Sequence, residues 1–286
     1  VTRKLTICAL LIFVWFPEVA PEASSPETVL DGNRKSFVVV GYSTSFMWPD
    51  ILQFMLDRHE EGAYDVLNAA VGSSPVVRWL DGAEQYEQTY TKMLSDYFGE
   101  DAKKRGDRPV PAIALCQQSL QGVFEKFRDG IRHEEDAVRI TKGANALQAL
   151  AAQLNDSGIQ TVYIAMHIFK ISMEPAIWNE RHALNELLAR QVHYVRPGPD
   201  LWRVTKDSYP EGFSPVDRVH PSLHGSRIMA EGWYRTLAGD AAKDEVVKAM
   251  WGHPFDTIAD REAETNRRGL ERQREFRAKQ AKQESQ

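Results

Sequence analysis

Three hydroxyl residues in a row, Ser43-Thr44-Ser45, follow an apolar run and Gly41, and far downstream stands Asp217-Arg-Val-His220. A hydroxyl becomes a nucleophile when a neutral imidazole takes its proton and a carboxylate holds the other ring nitrogen. Asp217 and His220, three apart in a turn before Pro221, can form that pair. Acyl transfer also needs N–H donors where the oxyanion develops. Gly72, in the stretch Asn68-Ala-Ala-Val-Gly72-Ser73-Ser74, leaves its own N–H open to an approaching oxygen, and Gln117 and Gln118 offer side-chain amides. Each group also has a plain structural use. A serine or threonine can cap a helix, Gly72 can be a turn glycine, and a glutamine can be a loop amide. His167 can line the same cleft or be a satisfied structural histidine. His220 and His224 would share a helix face as half of a metal site, but no third ligand follows at a telling spacing.

These residues gain meaning from the elements that would carry them. The run 36–40 (SFVVV) is short, continuous and β-branched, as a strand buried on both faces must be. Similar runs stand at 64–68, 112–115, 161–166 and 192–195. Between them, 48–59, 76–98, 134–155, 178–190 and 222–237 have apolar residues at helical spacing. Pro49 suits a helix start and Gly158 a helix stop. Alternation of this kind predicts a three-layer α/β/α sandwich with a five-stranded parallel, flavodoxin-like sheet. In such a sheet, ligands sit at the C-terminal ends of the strands. Ser43, Gly72, Gln118 and His167 follow expected strands, and the 217–220 turn comes after the fifth beyond a longer excursion, so they converge on one rim.

The chain has 286 residues and a formal charge of −5, with no basic block in its body. That argues against a nucleic-acid partner. Two cysteines, Cys8 and Cys116, exclude a disulfide scaffold. Arg3 and Lys4 precede a 12-residue apolar run, 5–16, too short to span a bilayer at 1.5 Å per residue. Followed by small residues Ala20 and Ala23, it reads as an export signal over 1–23. This predicts a secreted or periplasmic protein with no stable membrane insertion after cleavage, and leaves Cys116 as a single buried, inert thiol. A polar leader follows over 24–34, then the main domain over 35–255. Beyond Asp260 the chain is charged with almost no apolar residues, and the segment 256–286 reads as a solvated helix or disordered tail.

In type and order, these positions resemble the SGNH/GDSL hydrolase superfamily over 37–237. Gly41-Tyr42-Ser43 is similar to its first block, Asn68–Ser74 to its second, and Asp217-Arg-Val-His220-Pro-Ser, with a helix containing Ala230-Glu-Gly-Trp, to its last. The resemblance implies Ser43 as nucleophile, His220 as base, Asp217 as its orienter, and the Ser43 N–H, Gly72 and Gln118 as oxyanion donors. It departs in two places. Tyr42 replaces an aspartate, and Leu115-Cys-Gln-Gln118 stands where the family has G-x-N-D. Gln118 keeps the amide one methylene longer, with Gln117 as the competing candidate. The implied activity is ester hydrolysis through an acyl-serine, on a small-molecule or glycan ester or a lipid, with no metal or organic cofactor. An acyltransferase on the same fold and a binding module with a decayed oxyanion hole are the alternatives.

Overall fold

The computed structural model describes residues 29–80, 87–123, 133–166, 168–169 and 174–284. The expected export signal and His167 lie outside the described residues. Five parallel strands form one sheet: β1 (Lys35–Val40), β2 (Tyr64–Asn68), β3 (Ile113–Gln117), β4 (Thr161–Ala165) and β5 (Val195–Pro197), in the order β2-β1-β3-β4-β5. Helices α1 (Trp48–His59), α2 (Glu87–Tyr97), α3 (His133–Asp156), α4 (Glu174–Ala189), α5 (Leu201–Asp207), α6 (Leu223–Ala238), α7 (Asp244–Gly252) and α8 (Asp256–Glu284) accompany them. The architecture is a three-layer α/β/α sandwich.

The strand side chains divide the core in two. Phe37, Val39 and Leu115 point to the layer holding α1, α6 and α7, while Val38, Val40, Ala114 and Cys116 point to the layer holding α2, α3 and α4. This is the two-residue alternation of a strand covered on both faces. In α1, Trp48, Ile51, Leu52, Met55 and Leu56 make the buried stripe, and Pro49 sits in the first turn. The sheet winds outward in opposite directions from β1, to β2 on one side and β3 on the other. The crevice between the C-terminal ends of β1 and β3 is therefore the topological switch point.

Several boundaries differ from those expected. Strand β3 runs on to Gln117, so this residue belongs to the sheet. Strand β5 starts at Val195, because Val195 N–H closes a turn onto Val192 O at 2.9 Å. Pro197 is tolerated in β5 because that strand is an edge. From Val29 on the leader is tied down, with Leu30 buried and Val29 N–H donating to Leu237 O at 3.1 Å. Helix α6 is followed by α7, whose Val246, Val247 and Met250 are buried, and by the 29-residue α8.

The start of α6 is packed against backbone. Ser222 caps it by accepting from Gly225 N–H at 3.2 Å, and a Cβ on Gly225 would lie 2.0 Å from Gly212 O. Gly225→Ala is expected to lower stability by about 1–3 kcal/mol through overpacking. Gly252→Ala, with nothing within 4 Å of its new carbon, is expected to change little. Thermal melts of the two variants check this, and equal melting temperatures would contradict it.

Candidate active site

The three consecutive hydroxyls do different things. Gly41 ends the first crossing of the sheet and lets the chain turn back tightly: a Cβ there would lie 2.5 Å from Ser45 Oγ. Residues Ser43–Ser45 then form one 3-10 turn, with Ser45 N–H donating to Tyr42 O at 2.8 Å. Thr44 and Ser45 are buried. Ser45 Oγ donates to Gln117 Oε1 at 3.0 Å, and Gln117 Nε2 donates to Thr44 Oγ1 at 2.9 Å. Ser43 and Thr44 both line the cleft, but of the three hydroxyls it is that of Ser43 that meets His220, Oγ to Nε2 at 3.0 Å.

The imidazole is held from behind. His220 Nδ1 lies 2.8 Å from Asp217 Oδ2. The other carboxylate oxygen, Oδ1, accepts from Val219 N–H at 2.8 Å and His220 N–H at 3.0 Å. One aspartate thus orients the ring and shapes the loop that carries it. Arg218 adopts φ +55°, a left-handed conformation uncommon for a residue with a side chain. The loop is closed by Ser214 N–H on His220 O at 2.8 Å and Ser222 N–H on Gly212 O at 3.0 Å. Partial burial pushes the Asp217 carboxyl up, but the His220 ring, the two backbone N–H groups and the imidazole charge outweigh it, and the pKa falls to about 2.

Helix α8, expected to be solvated or disordered, forms part of this site. Ser214 Oγ donates to Asn266 Oδ1 at 2.7 Å, and Gln273 Nε2 donates to Val216 O at 3.0 Å. Leu223 N–H donates to Glu262 Oε2 at 2.8 Å, and Arg261 pairs with Asp50 at 2.6 Å. A cleft of about 870 Å³ lies between α8, the 214–221 loop and the 43–47 turn, with Ser43, Asp217, His220 and Asn68 in its wall.

The expected side-chain donor, Gln118, and its competing candidate, Gln117, are both turned into the interior. Gln118 is fully buried, its Nε2 donates to Val40 O at 3.0 Å, and its Oε1 has no partner among the described residues. Its amide is not presented to the cleft. Gln117 is also fully buried, and Trp48 Nε1 donates to its Oε1 at 2.7 Å besides the two hydroxyl contacts. Gly72 lies under the Phe46 ring, whose Cζ would be 3.6 Å from a Cβ there. Asn68 lines the cleft while its Nδ2 donates to Ser45 O at 3.0 Å and its Oδ1 accepts from Ala70 N–H at 3.0 Å. His224 faces Trp251, ring centroids 5.3 Å apart, and both ring nitrogens of His220 are already engaged by Asp217 and Ser43. Cys116 is buried and unbonded to another cysteine, and burial pushes its thiol pKa well up.

No protein-family model matches this chain, and no curated protein matches it. Solved structures do. A protein described as an SGNH hydrolase from Slackia heliotrinireducens matches with 14% identity and TM-score 0.43, over 70% of this chain and 96% of that one. An acetylxylan esterase from Geobacillus stearothermophilus matches with 11% identity and TM-score 0.49, over 74% and 98%. A protein described as a GDSL-like lipase from Parabacteroides merdae matches with 10% identity and TM-score 0.48, over 74% and 99%. At these identities the likeness concerns the fold alone. The chain's own contacts define the class: a Ser–His–Asp arrangement of the serine-hydrolase type on a three-layer α/β/α fold. Among the described residues, no helix is long and apolar enough to cross a membrane.

Two outcomes follow from these contacts. Gln117→Leu strips partners from the Trp48 indole and two buried hydroxyls, at about 1–3 kcal/mol for each orphaned group. A total loss of at least about 2 kcal/mol in urea unfolding is expected, and a loss under about 0.5 kcal/mol would contradict the network. The second concerns acid. Asp217 has a folded pKa of about 2, against about 3.9 unfolded. Its carboxylate therefore stabilises the fold fully above about pH 4, and that stability is lost as pH falls toward 2. The stability gap between the native chain and Asp217→Asn should shrink over that window in pH-dependent melts. A gap that stays constant from pH 5 to about 2 would contradict the shift.

Proposed function

We propose that this protein is a serine esterase that hydrolyses carboxylic esters through an acyl-serine intermediate. The observation that carries the reading is the unbroken chain from Ser43 Oγ to His220 Nε2 at 3.0 Å and from His220 Nδ1 to Asp217 Oδ2 at 2.8 Å. Ser43 Oγ attacks the ester carbonyl as its proton passes to His220 Nε2. Asp217 holds the ring with Nδ1–H toward itself and stabilises the imidazolium. The tetrahedral adduct collapses, the alcohol leaves with the proton from Nε2, and the acyl group stays on Ser43. Water then attacks the acyl carbonyl, giving its proton to His220, and Ser43 leaves with that proton.

The developing oxyanion is assigned to the backbone N–H groups of Ser43 and Gly72. Gln118 joins them only if its amide leaves Val40 O. That contact favours a second reading, a site that binds esters with little turnover. An acyltransferase would share every step up to the acyl-serine and replace water with a sugar hydroxyl. No metal or organic cofactor enters these steps. The carrier of the ester is a carbohydrate, lipid or other small molecule, and export is proposed from the basic start and apolar run over 3–16.

The test is turnover of p-nitrophenyl acetate. Ser43→Ala should lower kcat by about 10⁶ and Asp217→Asn by about 10⁴. Gln118→Ala should lower the melting temperature, because it removes a buried hydrogen bond to Val40 O and leaves a cavity, yet change kcat less than about tenfold. A donor acting on the oxyanion would cost about 10²–10³ instead. A Gln118→Ala loss of that size with an unchanged melt would restore the amide to the hole. Turnover unchanged in Ser43→Ala would end the esterase reading.

A further inference from the structure

The cleft wall made by α8 carries charge that the proposed chemistry does not use. Arg261, Arg272 and Arg277 all line it. Arg261 is paired with Asp50. Arg272 and Arg277 have no carboxylate or hydrogen-bond partner among the described residues, whereas Arg267 and Arg268 of the same helix pair with Glu264. The carboxylates in the cleft wall are Asp217 and Glu262. Both are committed, Asp217 to His220 and two backbone N–H groups, Glu262 to Leu223 N–H. Two guanidinium groups without a partner among the described residues therefore line the same cleft as Ser43, in a chain whose net charge is −5. Positive charge left without a partner in a cleft wall concentrates ligands of the opposite sign.

The shape of the wall narrows the ligand. From Arg261 to Arg277 the helix rises about 24 Å, at about 1.5 Å per residue. That is several sugar units long and far more than an acetyl group needs. Phe46 and Phe276, 46% and 61% exposed, stand in the same wall. Exposed phenyl rings match the apolar C–H faces of pyranose rings, and guanidinium groups match carboxylates bidentately. We infer that the ester is carried by an anionic glycan, whose carboxylates are held by Arg272 and Arg277 while its acyl group reaches Ser43. This rests on the esterase reading for the reacting end alone; the binding wall stands on its own residues.

The experiment compares acetylated tetragalacturonate with its carboxyl-reduced, uncharged form. Acetate release from the uronate should be favoured in kcat/KM at least about fivefold at low salt, and the preference should shrink near 0.5 M salt as the charges are screened. In Arg272→Gln/Arg277→Gln the preference should fall at least about threefold, toward a ratio of about one, as expected for the loss of two partly exposed ion pairs. Calorimetric titration with unacetylated tetragalacturonate reads binding without chemistry, and the double variant should bind it more weakly by a similar factor. Equal rates on the two esters, or a ratio unchanged in the double variant, would overturn the inference while leaving the esterase standing. Arginine-dependent uronate binding without acetate release from any ester would do the reverse. Absence of both overturns both, and binding to phosphatidylglycerol vesicles with none to the uronate overturns the glycan.

Discussion

The buried carboxamide of Gln117 is the contact on which the geometry of the site depends. It accepts from Ser45 Oγ and from the Trp48 indole, and donates to Thr44 Oγ1. Those contacts bind the end of β3 to the nucleophile turn and to the start of α1, across the switch point of the sheet. Each bond contributes only about 1 kcal/mol net, but in a dry interior the cost of leaving any partner unmet is larger. The turn therefore has one way to be satisfied. With the hydroxyls of Thr44 and Ser45 taken up by Gln117, that of Ser43 is left to His220. Trp48 extends the constraint, stacking on Trp233 of α6 with centroids 5.4 Å apart and planes at 18°. Helix α6 is the element that follows His220, so the base and the nucleophile are referenced to the same packed unit.

The His220 loop is held differently, by its own polar groups and by α8. Asp217 uses one oxygen for the imidazole and the other for two backbone N–H groups. Its charge therefore orders the loop and polarises the ring at once, and Arg218 takes a left-handed backbone between them. From the outside, Asn266 and Gln273 of α8 hold Ser214 and Val216. Gly269 lets the helix come close, since a Cβ there would lie 2.8 Å from Val216 Cγ1. The C-terminal segment thus braces the loop and walls the cleft.

Much of this was legible in the residues. Continuous runs such as 36–40 mark strands covered on both faces, and their order gives the parallel sheet. Ser43, Asp217 and His220 are the residues that meet: Ser43 stands just past β1, and the 217–220 turn stands just before α6. What was not legible depends on direction more than on residue type. Gln117 and Gln118 are adjacent amides at a strand end, and side-chain alternation sends them into different buried environments. No spacing rule says that both would be spent on the scaffold. The role of α8 was hidden for another reason. A helix that buries few apolar residues shows no stripe, and its attachment here uses Glu262, Asn266 and Gln273, which in a sequence look like solvated positions. The stripe exists in polar form, recurring from Arg261 through Asn266 and Gly269 to Gln273 and Phe276.

The central claim is that Ser43 is the activated nucleophile, with Ser45 and Thr44 held as scaffold. Its most direct test is reaction with a fluorophosphonate, followed by peptide mapping in the mass spectrometer. The account predicts one adduct, on Ser43, that fails to form in His220→Ala even though that variant keeps its fold by circular dichroism. An adduct on Ser45, Ser73 or Ser119, or labelling of Ser43 at an undiminished rate without His220, would contradict it.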